Sequence, residues 1–366
     1  KSLHQYLNNA KKQIDDYYTE WDNIKKFTNP YEFIHTCIPQ EKYAVSKIKP
    51  LSRSFYKMIE IVKLYNLLQN SNNIKTFHVA EGPGGFIEAT TYLRNNKNDK
   101  YYGMTLINND DDSIPGWKKS GDFLRNNSNV IIESGITNDG DLLNIKNLHY
   151  IKETYENSMD FITADGGFDF SSDFNHQESM ASNLLFAEIC YAIILQKQGG
   201  SFVLKMFDIF TKISLDMIFL LNLYYDEIFV MKPRTSRYAN SEKYIICKNY
   251  SKPSNHKKLI NYILDNYQNL SDKSISQLFN FDHDYFFILK MEEINALFGQ
   301  QQIENISNTF NILFSNNKNL KCEQNKKNYI QKCIVWCEKH DIPYNKIASN
   351  NNIFTKMYTK EKSGSE

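Results

Sequence analysis

Apolar and polar positions follow two rhythms along this chain. Between residues 52 and 69 the large apolar residues Phe55, Met58, Ile59, Val62 and Tyr65 recur at the three-and-four spacing of one helix face. Beyond them come short apolar runs of strand length, at 76–80, 101–105, 130–133, 160–164, 201–206, 227–231 and 243–247. Helical patterns separate several of these runs, over 86–94, 177–198 and 213–223, the second ended by Gly199-Gly200. Strand and helix in alternation predict an α/β fold with a mostly parallel sheet covered by helices on both faces. The loop 232–242 is too short for a crossover helix, so the last two strands should be antiparallel neighbours. Residues 1–70 read as helical with prolines at 30, 39 and 50, 71–250 as the sheet domain, 251–360 as an appended helical region, and 361–366 as a disordered tail.

Composition narrows the classes. A hydrophobic fraction of 41% in 366 residues is enough for a large core. The net charge of +1 excludes a chain held on nucleic acid by bulk electrostatics; a local patch would have to do it. No apolar run reaches membrane-spanning length, and the polar first residues do not read as a signal peptide. Six scattered cysteines do not make a secreted disulfide framework and point to a reducing compartment. Cys322, Cys333, Cys337 and His340 have something of a zinc spacing. Cys333 and Cys337, however, share a helix face with Ile330 and Ile334, which favours packing, and no metal is expected. Richness in Lys, Asn, Ile and Tyr is the mark of an AT-rich coding sequence, as in a large DNA virus, a protist or an AT-rich bacterium.

Several short motifs carry chemistry. Glu81-Gly82-Pro83-Gly84-Gly85-Phe86 turns the first strand into a helix, where glycines admit positive φ and close approach of a ligand. It lacks both the Gly-Lys-Ser/Thr of a P-loop and the spacing of a dinucleotide fingerprint, so alone it is equally a structural turn. Lys205 interrupts the apolar run Phe202-Val203-Leu204-Lys205-Met206-Phe207, and a lysine there needs a partner or a function. Asp165 ends the fourth strand, either as a reactive carboxylate or as the opening of an Asp-Gly-Gly turn. Lys232, Arg234, Arg237 and Lys243 form the densest basic cluster, which could hold an RNA backbone or be a solvated loop, and Arg53 stands beside Lys57.

Taken in order, Asn29-Pro30-Tyr31-Glu32, Ser52-Arg53-Ser54-Phe55-Tyr56-Lys57, the glycine turn, Tyr102-Gly103-Met104-Thr105-Leu106, Gly140-Asp141, Ala164-Asp165-Gly166-Gly167-Phe168, Gly200-Ser201-Phe202-Val203-Leu204-Lys205 and the run from Lys232 to Tyr244 resemble the FtsJ-like RNA ribose 2′-O-methyltransferases, in the branch acting on capped mRNA. Glu81 departs from the small residue usual in that family, Tyr238 replaces a common Pro, and the loop 109–117 is individual. The resemblance implies a Rossmann-like methyltransferase sheet, S-adenosylmethionine as cofactor, and a tetrad of Lys57, Asp165, Lys205 and Glu242. The strand pattern independently brings Asp165, Lys205 and Glu242 to one sheet edge. In this reading Lys205 is the base that accepts the 2′-hydroxyl proton, its pKa lowered by burial and by Lys57 against the opposing Asp165. Asp165 orients Lys205 and faces the sulfonium, and Glu242 orients Lys57. The cofactor residues implied are Ser52, Ala80, Glu81, Gly82, Pro83, Gly84, Gly85, Phe86, Thr105, Leu106, Asp141, Leu142 and Asp165; the RNA residues are Arg53, Lys232, Arg234, Arg237 and Lys243. The implied partner is the 5′ end of capped mRNA, with other capping or transcription subunits. The expected setting is a large DNA virus and the host cytoplasm or virion, with the nucleus as alternative. Methylation of rRNA or tRNA, or a catalytically silent RNA- or partner-binding subunit, are the competing readings.

Overall fold

Apolar runs bounded by Lys, Asp and Gly become the strands of one sheet in a computed structural model that describes residues 2–69, 72–108, 110–111, 114–167, 177–268 and 270–345. The expected disordered tail from 361, Phe168 and Asn109 lie outside the described residues. In chain order the elements are α1 (Ser2–Asp15), α2 (Tyr18–Ile24), α3 (Ser54–Tyr65), β1 (Lys75–Val79), α4 (Gly85–Arg94), β2 (Lys100–Met104), α5 (Gly121–Asn126) and β3 (Val130–Glu133). They continue with α6 (Ile145–Tyr155), β4 (Met159–Ala164), α7 (Gln177–Met180), α8 (Ser182–Leu195), β5 (Gln196–Met206), α9 (Lys212–Tyr224), β6 (Tyr225–Met231), β7 (Lys243–Tyr250), α10 (His256–Tyr267), α11 (Tyr285–Leu313) and α12 (Lys318–Lys339).

The sheet order is β3-β2-β1-β4-β5-β7-β6. Strands β1 to β5 pair in parallel, and β7 runs antiparallel to both β5 and β6. The expected antiparallel pair is present, and β7 also inserts between β5 and β6, which puts its start beside the end of β5. Strands covered on both faces are apolar throughout their centres: Phe202, Val203, Leu204, Ile245 and Ile246 are all fully buried. Helix α8 is apolar all round and correspondingly enclosed, from Leu185 through Leu195. Thr211 caps α9 by accepting from the Ser214 amide, and Asn144 caps α6 by accepting from the Lys146 amide.

One boundary differs from the sequence expectation. The long helix does not run from 177 to 198; it breaks at Ala181 and ends at Leu195, so Gly199-Gly200 lies inside β5 rather than closing a helix. The reason is Gln196, whose amide donates to the Met159 carbonyl at 2.9 Å and accepts from the Tyr225 hydroxyl at 3.1 Å. A fully buried glutamine satisfied by the sheet pulls the chain into the ladder three residues early. Gly199 then takes φ +76° beside a register shift opposite Met159 and Phe161.

The chain divides into two compact units. One comprises Ser54–Lys232 and Glu242–Asn295 and holds the sheet together with α3 to α10. The other gathers the chain up to Arg53, Pro233–Ser241 and the chain from Ala296 onward. In that second unit the Asn305 amide donates to the Thr28 carbonyl at 2.9 Å, and Cys333 and Cys337 are buried, Cys333 with its sulfur 3.5 Å from the Pro30 carbonyl. Among the described residues no group of three His, Cys, Asp or Glu is placed to hold a metal, and no helix is long and apolar enough to cross a membrane.

Candidate active site

Register decides what meets at the carboxyl edge of the sheet. Ala164 pairs with Leu204, so Asp165 and Lys205 leave neighbouring strands at the same level. Lys205 pairs with Tyr244 on the antiparallel β7, which brings Glu242, just before that strand, to the same edge. Lys57 comes from α3, where it sits among the buried residues Tyr56, Met58 and Ile59. The Lys57 ammonium lies 2.6 Å from the Glu242 carboxylate. The Lys205 ammonium lies 3.0 Å from the Asp165 carboxylate and donates to the Asp165 carbonyl at 2.8 Å. All four side chains belong to the sheet unit.

The charges of these groups are set by one another. Burial pushes the Glu242 carboxyl up, but Lys57, Lys205 and Lys232 outweigh it and hold the group well below the usual carboxylate range. For Lys205, burial favours the neutral amine, yet Asp165 and Glu242 prevail and raise it above the ordinary lysine value. The balance that the sequence leaves open, burial and Lys57 against Asp165, falls on the side of the protonated amine in the free protein. Asp165 and then Glu242 contribute most, Glu188 adds to them, and of the three only Asp165 was apparent from the sequence.

The glycine turn is built tightly around the ends of β1 and β2. Ala80 itself takes φ +54°, donates its amide to the Met104 carbonyl, and precedes Glu81, which is almost wholly buried. The Glu81 carboxyl accepts from the amides of Phe86 and Ile87 at the start of α4. Burial and the Asp165 charge push Glu81 well above the usual range, against the pull of those two amides. Its neighbour His78 is driven down to about 3 by burial and is a neutral ring between Thr76 and Thr163. A Cβ on Gly82 would lie 2.5 Å from the Gly116 carbonyl oxygen, and one on Gly140, which has φ +65°, only 2.0 Å from that of Thr105. Thr105 receives the Gly82 amide on its hydroxyl at 3.3 Å. Asp139 and Asp141 are locked by Asn147, whose amide donates to the Asp139 carboxylate at 3.1 Å and the Asp141 carbonyl at 2.9 Å. Leu142 is buried, with its carbonyl accepting from Tyr267, whereas Leu106 is exposed.

This cradle suits a cofactor without phosphate. A helix start is an anion site only while its amides are open, and here the protein's own Glu81 occupies those of Phe86 and Ile87. Backbone segments shaped by Gly82, Gly116 and Gly140, with Asp165 at the strand end, fit S-adenosylmethionine, which carries a cationic sulfonium and no phosphate.

The family model for FtsJ-like methyltransferases matches residues 50–250, more than half of the chain. The chain belongs to the FtsJ-like methyltransferase family. Among its relatives is a cap-specific mRNA (nucleoside-2′-O-)-methyltransferase 2 of Drosophila melanogaster, 26% identical over 69% of this chain and 37% of that protein. The protein of the same description from Mus musculus is 27% identical over 91% of this chain and 44% of its own length. A cap-specific mRNA (nucleoside-2′-O-)-methyltransferase 1 of Mus musculus is 34% identical over 46% of this chain and 20% of that protein. The chain thus spans less than half the length of each of these relatives.

The basic residues of this FtsJ-like chain are divided between the two units, and most are engaged by acids or carbonyls of their own unit. Lys243 is buried, 3.2 Å from the Asp208 carboxylate and donating to the Phe207 carbonyl. Lys232 donates to the Glu242 carbonyl at 2.8 Å, and burial, reinforced by Lys243 and Lys57, draws it well below the ordinary lysine value despite Glu242. In the second unit Arg237 grips the buried Glu32 with two nitrogens, at 3.0 and 2.5 Å. Arg53 lies 3.7 Å from the same carboxylate and donates to the Thr235 carbonyl. Burial raises Glu32, but the two arginines bring it down to about 2. Arg234 is exposed. Ser52 directly precedes that Arg53 and is half-buried.

Sequence reasoning passed over Glu188, which interrupts Phe186-Ala187-Glu188-Ile189-Cys190 by the same signal that singled out Lys205. It also passed over Asn147 and the pairing of Glu32 with Arg237, which stand 205 residues apart. No local pattern could have joined those two.

Proposed function

We propose that this chain transfers the methyl group of S-adenosylmethionine to a ribose 2′-hydroxyl of RNA, at the first transcribed nucleotide of capped mRNA. The observation that carries the reading is the pairing of Lys57 with Glu242 at 2.6 Å and of Lys205 with Asp165 at 3.0 Å on one sheet edge of an FtsJ-like domain. The cap part rests on relatives described as cap-specific mRNA methyltransferases.

The cofactor supplies a methyl already activated by a sulfonium, so the remaining task is to align a hydroxyl and receive its proton. Glu242 holds Lys57 in place, and Asp165 holds Lys205. Lys205 accepts the hydroxyl proton at Nζ once its own proton has left. In the free protein Asp165 and Glu242 oppose that loss. Positive charge brought beside Asp165 weakens the opposition, because part of the carboxylate field is then spent on the newcomer. Arg234 offers an exposed cation for the RNA backbone.

The test is transfer from labelled cofactor to short RNA with and without a methylguanosine cap, with the methylated atom mapped. The expected product is a 2′-O-methyl on the first nucleotide of capped RNA. Equal transfer to uncapped RNA removes the cap assignment. Transfer to ribosomal or transfer RNA instead moves the substrate there, and no transfer to any RNA leaves a silent binding subunit.

A further inference from the structure

Glu188 is a carboxyl in the middle of an apolar helix. Its neighbours Phe186, Ala187, Ile189 and Cys190 are fully buried, and so is Glu188 itself. Its Oε1 accepts from the Gly166 amide at 2.9 Å, while its Oε2 has no hydrogen-bond partner among the described residues. An unsatisfied buried polar atom is destabilising, so a helix that only had to pack would gain from an apolar side chain here.

The contact leads into the site by two routes. Gly166 follows Asp165 directly, and a Cβ on it would fall 2.2 Å from Glu188 Oε1, so the Asp165 turn is shaped around this carboxyl. The second route is electrostatic, since Lys205 and Glu188 act on one another's charge. Burial pushes Glu188 up to about 8, resisted by Lys205 and the Gly166 amide and reinforced by Asp165. Acids on other elements packed on α8 are engaged elsewhere: Glu178 of α7 with Thr211, Asp216 of α9 with Lys212 and His283.

We infer that Glu188 is a positioning residue of the methyl-transfer site, holding the Asp165 turn through the Gly166 amide and setting the charge behind Asp165 and Lys205. The inference rests on the functional reading above. Its consequence is a preference: an ionised Glu188 favours a cationic sulfonium over the neutral thioether left after transfer.

The experiment is calorimetry on the full chain with S-adenosylmethionine and with S-adenosylhomocysteine between about pH 6.5 and 9.5. The ratio of the two affinities cancels the groups the ligands share. In the wild type the ratio should rise about three- to tenfold through pH 8. In Glu188→Gln, which keeps an acceptor for Gly166, the rise should be clearly smaller than in the wild type, what is left belonging to Glu81 in the cofactor turn. Glu188→Asp, which still titrates but falls short of Gly166, should keep the rise and lose kcat with little change in KM. A rise in Glu188→Gln equal to that of the wild type, or a flat wild-type ratio, overturns the assignment. If Glu188→Gln does not fold, the wild-type and Glu188→Asp ratios decide it on the same terms. A wild type that binds neither ligand overturns the methyltransferase reading itself, and this inference with it.

Discussion

Two glutamates flank Lys205 and end in opposite charge states. Glu242, on the β7 side, is held ionised by Lys57 at 2.6 Å and by the charges of Lys205 and Lys232. Glu188, on the α8 side, is fully buried, accepts from the Gly166 amide, and its carboxyl is pushed up to about 8. The Glu242 side chain keeps 12% of its surface and Glu188 none, a difference too small to separate their charge states by itself. What separates them is whether an ammonium touches the carboxylate or acts on it from further off. A buried carboxyl is ionised where cations repay its desolvation and neutral where they do not. Lys205, between the two, keeps its proton because the ionised glutamate and Asp165 act on it together.

The largest effect should come from the group between them. Lys205→Met is expected to lower methyl transfer about a thousandfold or more, with cofactor affinity within a few-fold of wild type. Transfer within tenfold of wild type would mean that neither carboxyl matters to the chemistry through Lys205.

The next largest breaks the ionised side. Lys57→Met leaves the Glu242 carboxylate without its closest cation and should destabilise the fold by about 3–5 kcal/mol at neutral pH, read by urea unfolding. Because the folded-state pKa of Glu242 is depressed, its stabilising contribution is present above its ordinary value near 4.5 and is lost as pH falls below it. The gap between wild type and variant should therefore narrow below about pH 4.5. A gap that does not change with pH would show that Lys57 acts by packing alone.

The neutral side gives the opposite sign. Glu188 has a raised folded-state pKa, so the folded protein binds more protons than the unfolded chain between pH 4.5 and about 8, and stability falls across that window. Glu188→Gln removes this loss. Its melting temperature should gain on the wild type as pH rises from 5 to 8, by the equivalent of about 2–3 kcal/mol. Parallel curves would mean that Glu188 is ionised throughout and that the contrast with Glu242 is absent.

The smallest effect sharpens the comparison from outside the buried site. Arg234→Ala should weaken RNA binding a few-fold, reduce its salt dependence by about one counterion, and leave cofactor affinity untouched. A loss of cofactor affinity would tie the exposed loop to the buried charges.

Local pattern carried much of this. The alternation of strand and helix, the glycine turn after β1 and the antiparallel last pair could be read because each depends on residues a few positions apart. Lys205 was legible for the same reason: a lysine in an apolar strand is locally anomalous. Glu188 broke the same rule inside a helix of equal hydrophobicity and was read as part of the helix. Gly199-Gly200 looked like a helix stop because nothing nearby shows that Gln196 bonds to Met159 and Tyr225 across the sheet.

The sequence by itself determined the order of the elements, the family, and a set of candidate side chains. Only the tertiary structure decided their charges. Lys232 and Lys243 read as open cations in a basic run, yet folding half-buries Lys232 against the Glu242 carbonyl and buries Lys243 on Asp208. For Lys205 the sequence left burial and Lys57 opposed to Asp165, and the fold adds Glu242 to the side that holds the proton. Periodicity is a property of neighbours along the chain, whereas a protonation state depends on desolvation and on distances of a few ångströms between residues far apart in it.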